Sequence, residues 1–272
     1  MTKLAGEGAR RGVYQCNACR EQFTVTVNSV TERSHIPLRK WVVAFHRMCS
    51  SKKGVSALQL QRELGLESYK SAWHLARRIR HAMKDFGGQK LSGTVEADEC
   101  YVGGKPRFGG PKSKGGRGTE KTPVAVLVEC KGMVRAKAVD RVSSATVKWN
   151  IRVNVHPDAK ILTDDFPAYY GIGRELAGGH SVVTHSANEY AHIEGEEVNS
   201  AESYFALLKR GHYGVFHHFS KQHLPRYLAE FSLRWNHRKL TDGQRTQAAI
   251  AQAAGKRLIS FRPKAAGQRS ST

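Results

Sequence analysis

Three stretches of the chain place carboxylates where oxygen ligands for a hard divalent cation could converge, which is what such an ion requires. The first, SGTVEADECYVGG, carries Glu96, Asp98 and Glu99. Strand alternation puts Glu96 and Asp98 on one face and Glu99 on the other, so either of the first two can point at a metal. The second, KILTD, ends on Asp164 with Asp165 next to it. In an α/β sheet the carboxyl ends of strands border the crevice where chemistry happens, so a strand-terminal Asp is well placed to hold an ion. The plainer reading is an N-cap for the following helix, which Asp165 serves equally well. The third, NSAESYFALLKRG, has Glu202 near a helix start and Lys209 seven residues on, hence on the same face. That face offers a metal ligand and, two turns along, a cation for a phosphate. Taken alone it is also an ordinary charged helix surface.

A second chemistry is suggested by Cys16 and Cys19 in YQCNACREQFTVTV, a CxxC knuckle followed by strand-like alternation, the look of half a zinc ribbon. Tetrahedral zinc wants four ligands, and no Cys or His precedes Cys16. Cys49 with His35 or His46 would have to complete the set; the alternative is a truncated, metal-free β-hairpin. The five cysteines are scattered and odd in number, which suits reduced thiols. The histidines between His180 and His237, including His217 and His218, match no zinc spacing and read as solvated or DNA-facing.

Elements must position these groups. From Pro37 to Phe86 the pattern is helical: Trp41, Phe45 and Met48 share one face, and Ser56 to Gln59 reads as a capping box opening a short helix that stops at Gly65. The next helix, SYKSAWHLARRIRHAM, is expected to turn Trp73, Leu75, Ala76 and Ile79 inward and Lys70, Arg77, Arg78 and Arg80 outward. Helix, glycine turn and basic helix suggest a helix-turn-helix with those four cations toward DNA; a three-helix bundle with a solvated basic face is the other reading. Downstream, the period changes to strands over residues 92–104, 122–130 and 133–140, then a helix from Ser144 to Val155, strand Lys160 to Asp164, a helical stretch Pro167 to Leu176, strand His180 to Thr184 and a helix from Asn199. The order is βββαβαβα. The glycine-rich segment from Gly103 to Lys121 lacks the phosphate-loop order and reads as a mobile basic loop. Glu194, Glu196 and Glu197 read as a solvated acidic loop. Leu224, Leu228, Phe231 and Trp235 form a helical core stripe. The stretch from Gly255 to Thr272 is expected to be disordered.

Composition narrows the class. The 272 residues carry 44 Lys+Arg against 23 Asp+Glu, a net charge of +21, so a polyanion is the expected partner and nucleic acid the first choice. No apolar run approaches the roughly 20 residues of a membrane span, and the N-terminus has no secretory h-region. The expected compartment is the cytoplasm.

Together, PLRKWVVAFH, SSKKGVSALQLQRELG and YKSAWHLARRIRHAM, followed by VEADECYVGGK, LTDDFPAYYGIG, VNSAESYFALLKRGHYGVFHH and HLPRYLAEFSLRWNHR, resemble the DDE transposases of bacterial insertion sequences, in the subgroup joining a zinc ribbon and helix-turn-helix to a catalytic domain. The resemblance spans almost the whole chain. It implies an α/β, RNase H-like mixed five-stranded sheet preceded by a small helical DNA-binding domain. Residues 1–30 would be a ribbon remnant with one knuckle, 31–90 the helix-turn-helix region, 91–240 the catalytic domain and 241–272 a basic tail. By this similarity Asp98 and Asp164 are the catalytic aspartates, Glu202 the third acid and Lys209 the trailing basic residue, with Asn199 an alternative third ligand. It further implies two Mg²⁺ ions held by Asp98, Asp164 and Glu202, zinc at Cys16 and Cys19 only if partners exist, and double-stranded DNA as substrate, held by a homodimer or larger assembly. The expected reaction cuts at the element's end and joins the freed 3′-hydroxyl to target DNA. An RNase H-like nuclease without joining, and a DNA-binding protein from an inactivated transposase, are the competing readings.

Overall fold

The computed structural model describes residues 1–4, 12–85, 88–103, 121–183, 192–193, 196–197 and 199–258. The basic loop up to Glu120, Glu194, the side chains of Glu196 and Glu197, Thr184 and the last fourteen residues therefore lie outside what is described below.

Strands β1 (Thr2–Lys3), β2 (Val13–Gln15) and β3 (Gln22–Thr24) form a small antiparallel sheet. Helices α1 (Leu38–Ser50), α2 (Ala57–Leu64) and α3 (Tyr69–Ala82) follow. Ser56 caps α2 by accepting from the Gln59 N–H. Gln59 does not close the expected box, since its side chain donates to Glu63 at 2.9 Å. Gly65 ends α2 in the left-handed region at φ 55°, where a side chain would strain the turn. Trp41, Phe45, Met48, Leu60, Leu75 and Ile79 make the core of this helical body.

The second half is a five-stranded sheet in the order β6-β5-β4-β7-β8, from β4 (Thr94–Val102), β5 (Thr122–Glu129), β6 (Val134–Ala138), β7 (Lys160–Thr163) and β8 (His180–Val182). The first three strands are antiparallel and β7 and β8 run parallel to β4, the mixed order of an RNase H-like sheet. Helix α4 (Ser144–Asn154) covers one face, packing Val147 and Ile151 on Val95, Ala97 and Leu127. The other face, with Cys100, Val102, Val124 and Val126, lies under α5 (Ser200–Gly211) and α6 (Leu224–Asn236) through Tyr204, Leu208, Leu228 and Phe231. Two residue pairs, β9 (His192–Ile193) and β10 (Glu196–Glu197), pair with each other. Both sheet faces are covered, which is why β5 reads as a continuous Val-rich run.

Three further expectations need correction. The stretch from Pro167 to Leu176 is two 3₁₀ turns, Pro167–Tyr169 and Ile172–Glu175, because Gly171 at φ 82° interrupts it. Residues 241–258 are not a tail. Helix α7 (Asp242–Ala251) opens with a full capping box between Thr241 and Gln244, and Ala249 and Ala253 complete the core around Trp41 and Phe45. Beyond it, the Lys256 ammonium donates to the Ala82 carbonyl at 2.7 Å. The third concerns Arg80, expected outward on α3: it is 4% exposed and bonded to Glu230 of α6 at 2.5 Å, with its guanidinium over Tyr227. A helix contact to a distant buried acid overrides the periodicity of α3. Among the described residues no helix is long and apolar enough to cross a membrane.

Candidate active site

Strand register does most of the positioning. In the parallel pair Ala97 lies opposite Thr163. One residue further, Asp98 on the central strand meets Asp164 at the carboxyl end of β7, on the same face. Pleating then puts Glu96, Asp98 and Cys100 under α5, with Ala97 on the opposite side. The first turn of α5 brings Glu202 over the same point. Asp98, Asp164, Asn199 and Glu202 line one small cavity of about 40 Å³, together with Glu96 and Thr163. A larger cavity of about 640 Å³, between β6 and α6, borders none of the three acids.

Each side chain has a defined environment. The Asp98 carboxylate accepts the Glu99 N–H at 2.6 Å. Burial, then the charges of Glu99, Asp164 and Glu202, push its carboxyl up to about 6, with the Glu99 N–H opposing. Asp164 accepts the Phe166 N–H at 3.2 Å, so the strand-terminal Asp itself braces the turn. Asp165, the other candidate for that role, instead accepts the Tyr170 hydroxyl at 2.8 Å and caps nothing. Glu99, on the far face as expected, accepts from Tyr169 at 3.1 Å. Lys209 is exposed two turns beyond Glu202, near Cys100, whose buried thiol it pulls down against a desolvation that raises it to about 12.

Glu96 is not aimed at a metal. Its buried carboxylate accepts the N–H groups of Ser200 at 3.2 Å and Ala201 at 2.9 Å, so it caps the N-terminus of α5. A carboxylate there satisfies two orphan donors and complements the helix dipole. Asn199, the N-cap by position, makes no side-chain cap and is left facing the cavity. Sequence reasoning missed this division of labour. The available signal was a Glu at a buried strand position, which must find donors.

The donor set is oxygen-only and anionic, which suits magnesium, and a bound divalent charge would offset the repulsion felt by Asp98. Among the described residues no three His, Cys, Asp or Glu side chains stand together as a closed metal cluster, so the acids line the cavity without forming a finished coordination shell. The zinc expectation fares differently. Cys16 and Cys19 share the β2–β3 turn, where the N–H groups of Cys19 and Ala18 lower the Cys16 thiol. Cys49 is buried in the helical core and His46 is bonded to Thr246, and among the described residues no third His, Cys, Asp or Glu, His35 included, joins Cys16 and Cys19 in a metal-holding group.

On the helical side, Gly65 separates α2 from the basic α3, as expected. Lys70 is exposed and Arg77 half-buried over Trp73. Arg78 donates to the Glu32 carbonyl at 2.5 Å and lies over Trp41, and Arg80 is buried, so these two hold α3 in place rather than facing outward.

Residues 90–236 match the model of the ISXO2-like transposase domain. The chain belongs to that family. A protein of the transposable element ISH50 from Halobacterium salinarum is 31% identical to this chain over 240 residues, covering 81% of this chain and 77% of its own length. The matched span contains Asp98, Asp164, Glu202 and Lys209. Solved structures are more distant: the Mos1 strand transfer complex at 15% identity and TM-score 0.33, covering 82% and 81% of the two chains, and a simian T-cell lymphotropic virus intasome with a PP2A regulatory subunit at 14% and 0.34, covering 70% and 68%.

Proposed function

We propose that this chain is a magnesium-dependent DNA transposase that cuts at the ends of an insertion sequence and joins the freed 3′-hydroxyl to target DNA. The observation that carries this reading is the cavity itself: Asp98 on β4 and Asp164 just past the end of the neighbouring parallel β7 line it together, with Glu202 entering from the first turn of α5. Asp98, Asp164 and Glu202 are the ligands, with Asn199 as a neighbouring amide oxygen. When bound, a pair of magnesium ions supplies activation of the attacking oxygen and charge neutralisation at the leaving oxygen of an in-line displacement. The chain's own part is placement. Central β4 holds Asp98 rigidly, the turn after β7 holds Asp164, and Glu96 fixes the helix that carries Glu202. Lys209 follows on the same helix face, where its ammonium meets a DNA phosphate. Lys70 and Arg77 on α3 contact the duplex backbone, and two copies of the chain hold the two element ends.

The test is an incubation of purified protein with labelled duplexes carrying the flanking inverted repeats, a target plasmid and Mg²⁺, with cut and joined products resolved. Joined product is the expected result, absent for Asp98→Asn and Asp164→Asn, which should bind DNA at least as well as the parent. Cutting without joining would make it a nuclease, and binding alone would make it a DNA-binding protein without turnover.

A further inference from the structure

Several arginines in the described structure, the fully buried ones among them, meet a carboxylate. Arg47 meets Glu63, Arg152 meets Glu175, and Arg80 and Arg234 share the buried Glu230. One cluster departs from this. Arg77 on α3 and Arg226 on the first turn of α6 are both half-buried, yet neither forms an ion pair or a side-chain hydrogen bond with a described residue. The Nε atoms of Arg77 and Arg226, and Nδ1 of His223 at the start of α6, are shielded from solvent without a hydrogen-bond partner. Trp73 binds the group together: its ring lies 5.2 Å from that of His223, and the Arg77 guanidinium sits 5.4 Å from its centroid.

Such an arrangement costs free energy. Buried donors without acceptors forfeit their hydration, and like charges repel in a partly dry setting. The effect is visible in the groups themselves. Burial, and then Arg77, holds the Arg226 guanidinium below its usual range, while burial, then Arg77 and Arg226, lowers the His223 imidazole. His81, one turn along α3 from Arg77, is lowered by burial and then by Arg226, Lys256, Lys84 and Arg77, with no acid among the causes. The positive end of the α6 dipole adds to the field. What the cluster lacks is an anion with several acceptor oxygens, and a phosphodiester has that shape and charge.

We propose that Arg77, Arg226 and His223 form a phosphate site for the DNA backbone at the seam between α3 and α6. The inference rests on the DNA reading above and goes beyond it, because it ties DNA held by the helical body to α6, the helix packed under α5 and its Glu202. One bound strand would thereby be fixed relative to both parts of the molecule at a single point.

The experiment compares duplex binding by the full-length chain, Arg77→Ala/Arg226→Ala, Arg226→Lys, and a control, Arg141→Ala/Arg174→Ala, that removes two exposed cations elsewhere. Fluorescence anisotropy is read across a salt series, with thermal melting of each free protein. The double variant should bind about tenfold more weakly, equally for terminal-repeat and scrambled duplexes, and its log affinity against log salt should be shallower by about 1. Its melting midpoint should be unchanged or raised, since repulsion is relieved, and Arg226→Lys should keep the parental slope. Binding indistinguishable from the control would overturn the site, as would a lowered midpoint, which would make these cations packing groups. The parent protein separates the two readings: a parent that cuts DNA while the double variant binds like the control removes only this site, whereas a parent that neither binds nor cuts removes the transposase reading as well.

Discussion

Asp98 shows how a residue can be costly to the empty fold. Its carboxyl is raised to about 6 by burial and by neighbouring acids, so at neutral pH the folded chain holds a charge that the unfolded chain carries more easily. A folded-state pKa above the unfolded value means that stability rises as pH falls through about 6 toward the unfolded value, and that the ionised form costs on the order of 3 kcal/mol at neutral pH. In a chelator, Asp98→Asn should therefore melt several degrees above the parent at pH 7.5, with the gap narrowing below about pH 6 and closing near pH 4. No gap at pH 7.5 would contradict the buried-charge account. Glu96 makes the complementary case. Removing its carboxylate strands the N–H groups of Ser200 and Ala201, so Glu96→Ala should lose about 1–3 kcal/mol and most cleavage while duplex affinity stays near the parental value. Glu96→Gln, keeping one acceptor oxygen, should recover part of both, which a role in metal ligation would not produce. At the cavity, Glu202→Gln should abolish product formation and Asn199→Ala only reduce it; the reverse ranking would transfer the third ligand to Asn199.

At the scale of elements, the seam between α3 and α6 is set by a buried triad. Glu230 is fully buried between Arg80 of α3 and Arg234, one turn along α6, and the Arg234 Nε donates to the Met48 carbonyl of α1 at 3.1 Å. Deleting the acid leaves two buried guanidinium groups, so Glu230→Ala should cost about 3–5 kcal/mol by chemical denaturation. A change under 1 kcal/mol would show that the triad relaxes freely. A close approach also fixes the end of α5 against α6: a Cβ on Gly211 would lie 2.3 Å from the Phe231 ring and 2.7 Å from the Lys53 carbonyl. These contacts explain what periodicity could and could not reveal. The strands β4 to β8 and helices α1 to α3 were legible because apolar period and turn residues are local, whereas period alone left Glu96 and Asp98 open and Glu202 an ordinary helix surface, the choice of Asp98, Asp164 and Glu202 coming from the family resemblance. The role of Arg80 was not, since α3 presents an ordinary basic stripe and its partner lies 150 positions away. Helix α7 was misread as tail because its buried residues are small, Thr246 and Ala249, although Thr241 and Gln244 already had capping-box spacing. Glu96 was half legible, its face correct and its partners hidden in the turn of another element.

The whole molecule follows a path that closes on itself. From the helical body the chain builds the five-stranded sheet, returns along α6 through Leu233 and packs α7 back on α1. Deleting residues 241–272 should consequently destabilise the N-terminal helices, exposing the core around Trp41 and Phe45, and leave no separately folded helical domain. Limited proteolysis and melting of that truncation provide the check: a protected fragment covering α1 to α3 would show that α7 is dispensable. The intact chain should melt in one transition, because the α3–α6 triad and the α1–α7 contact make the two halves one cooperative unit.

That return path has an evolutionary consequence. Modular proteins acquire new target preferences when recombination grafts one recognition domain onto another's chemistry at a linker. Here a crossover at the junction between α3 and β4 would separate α1 from α7 and Arg80 from Glu230, leaving the hybrid with mismatched halves on both sides of the breakpoint. If the proposed DNA reading holds, a change in the duplex bound should come through point substitutions on exposed helix faces, with the two halves inherited as a pair.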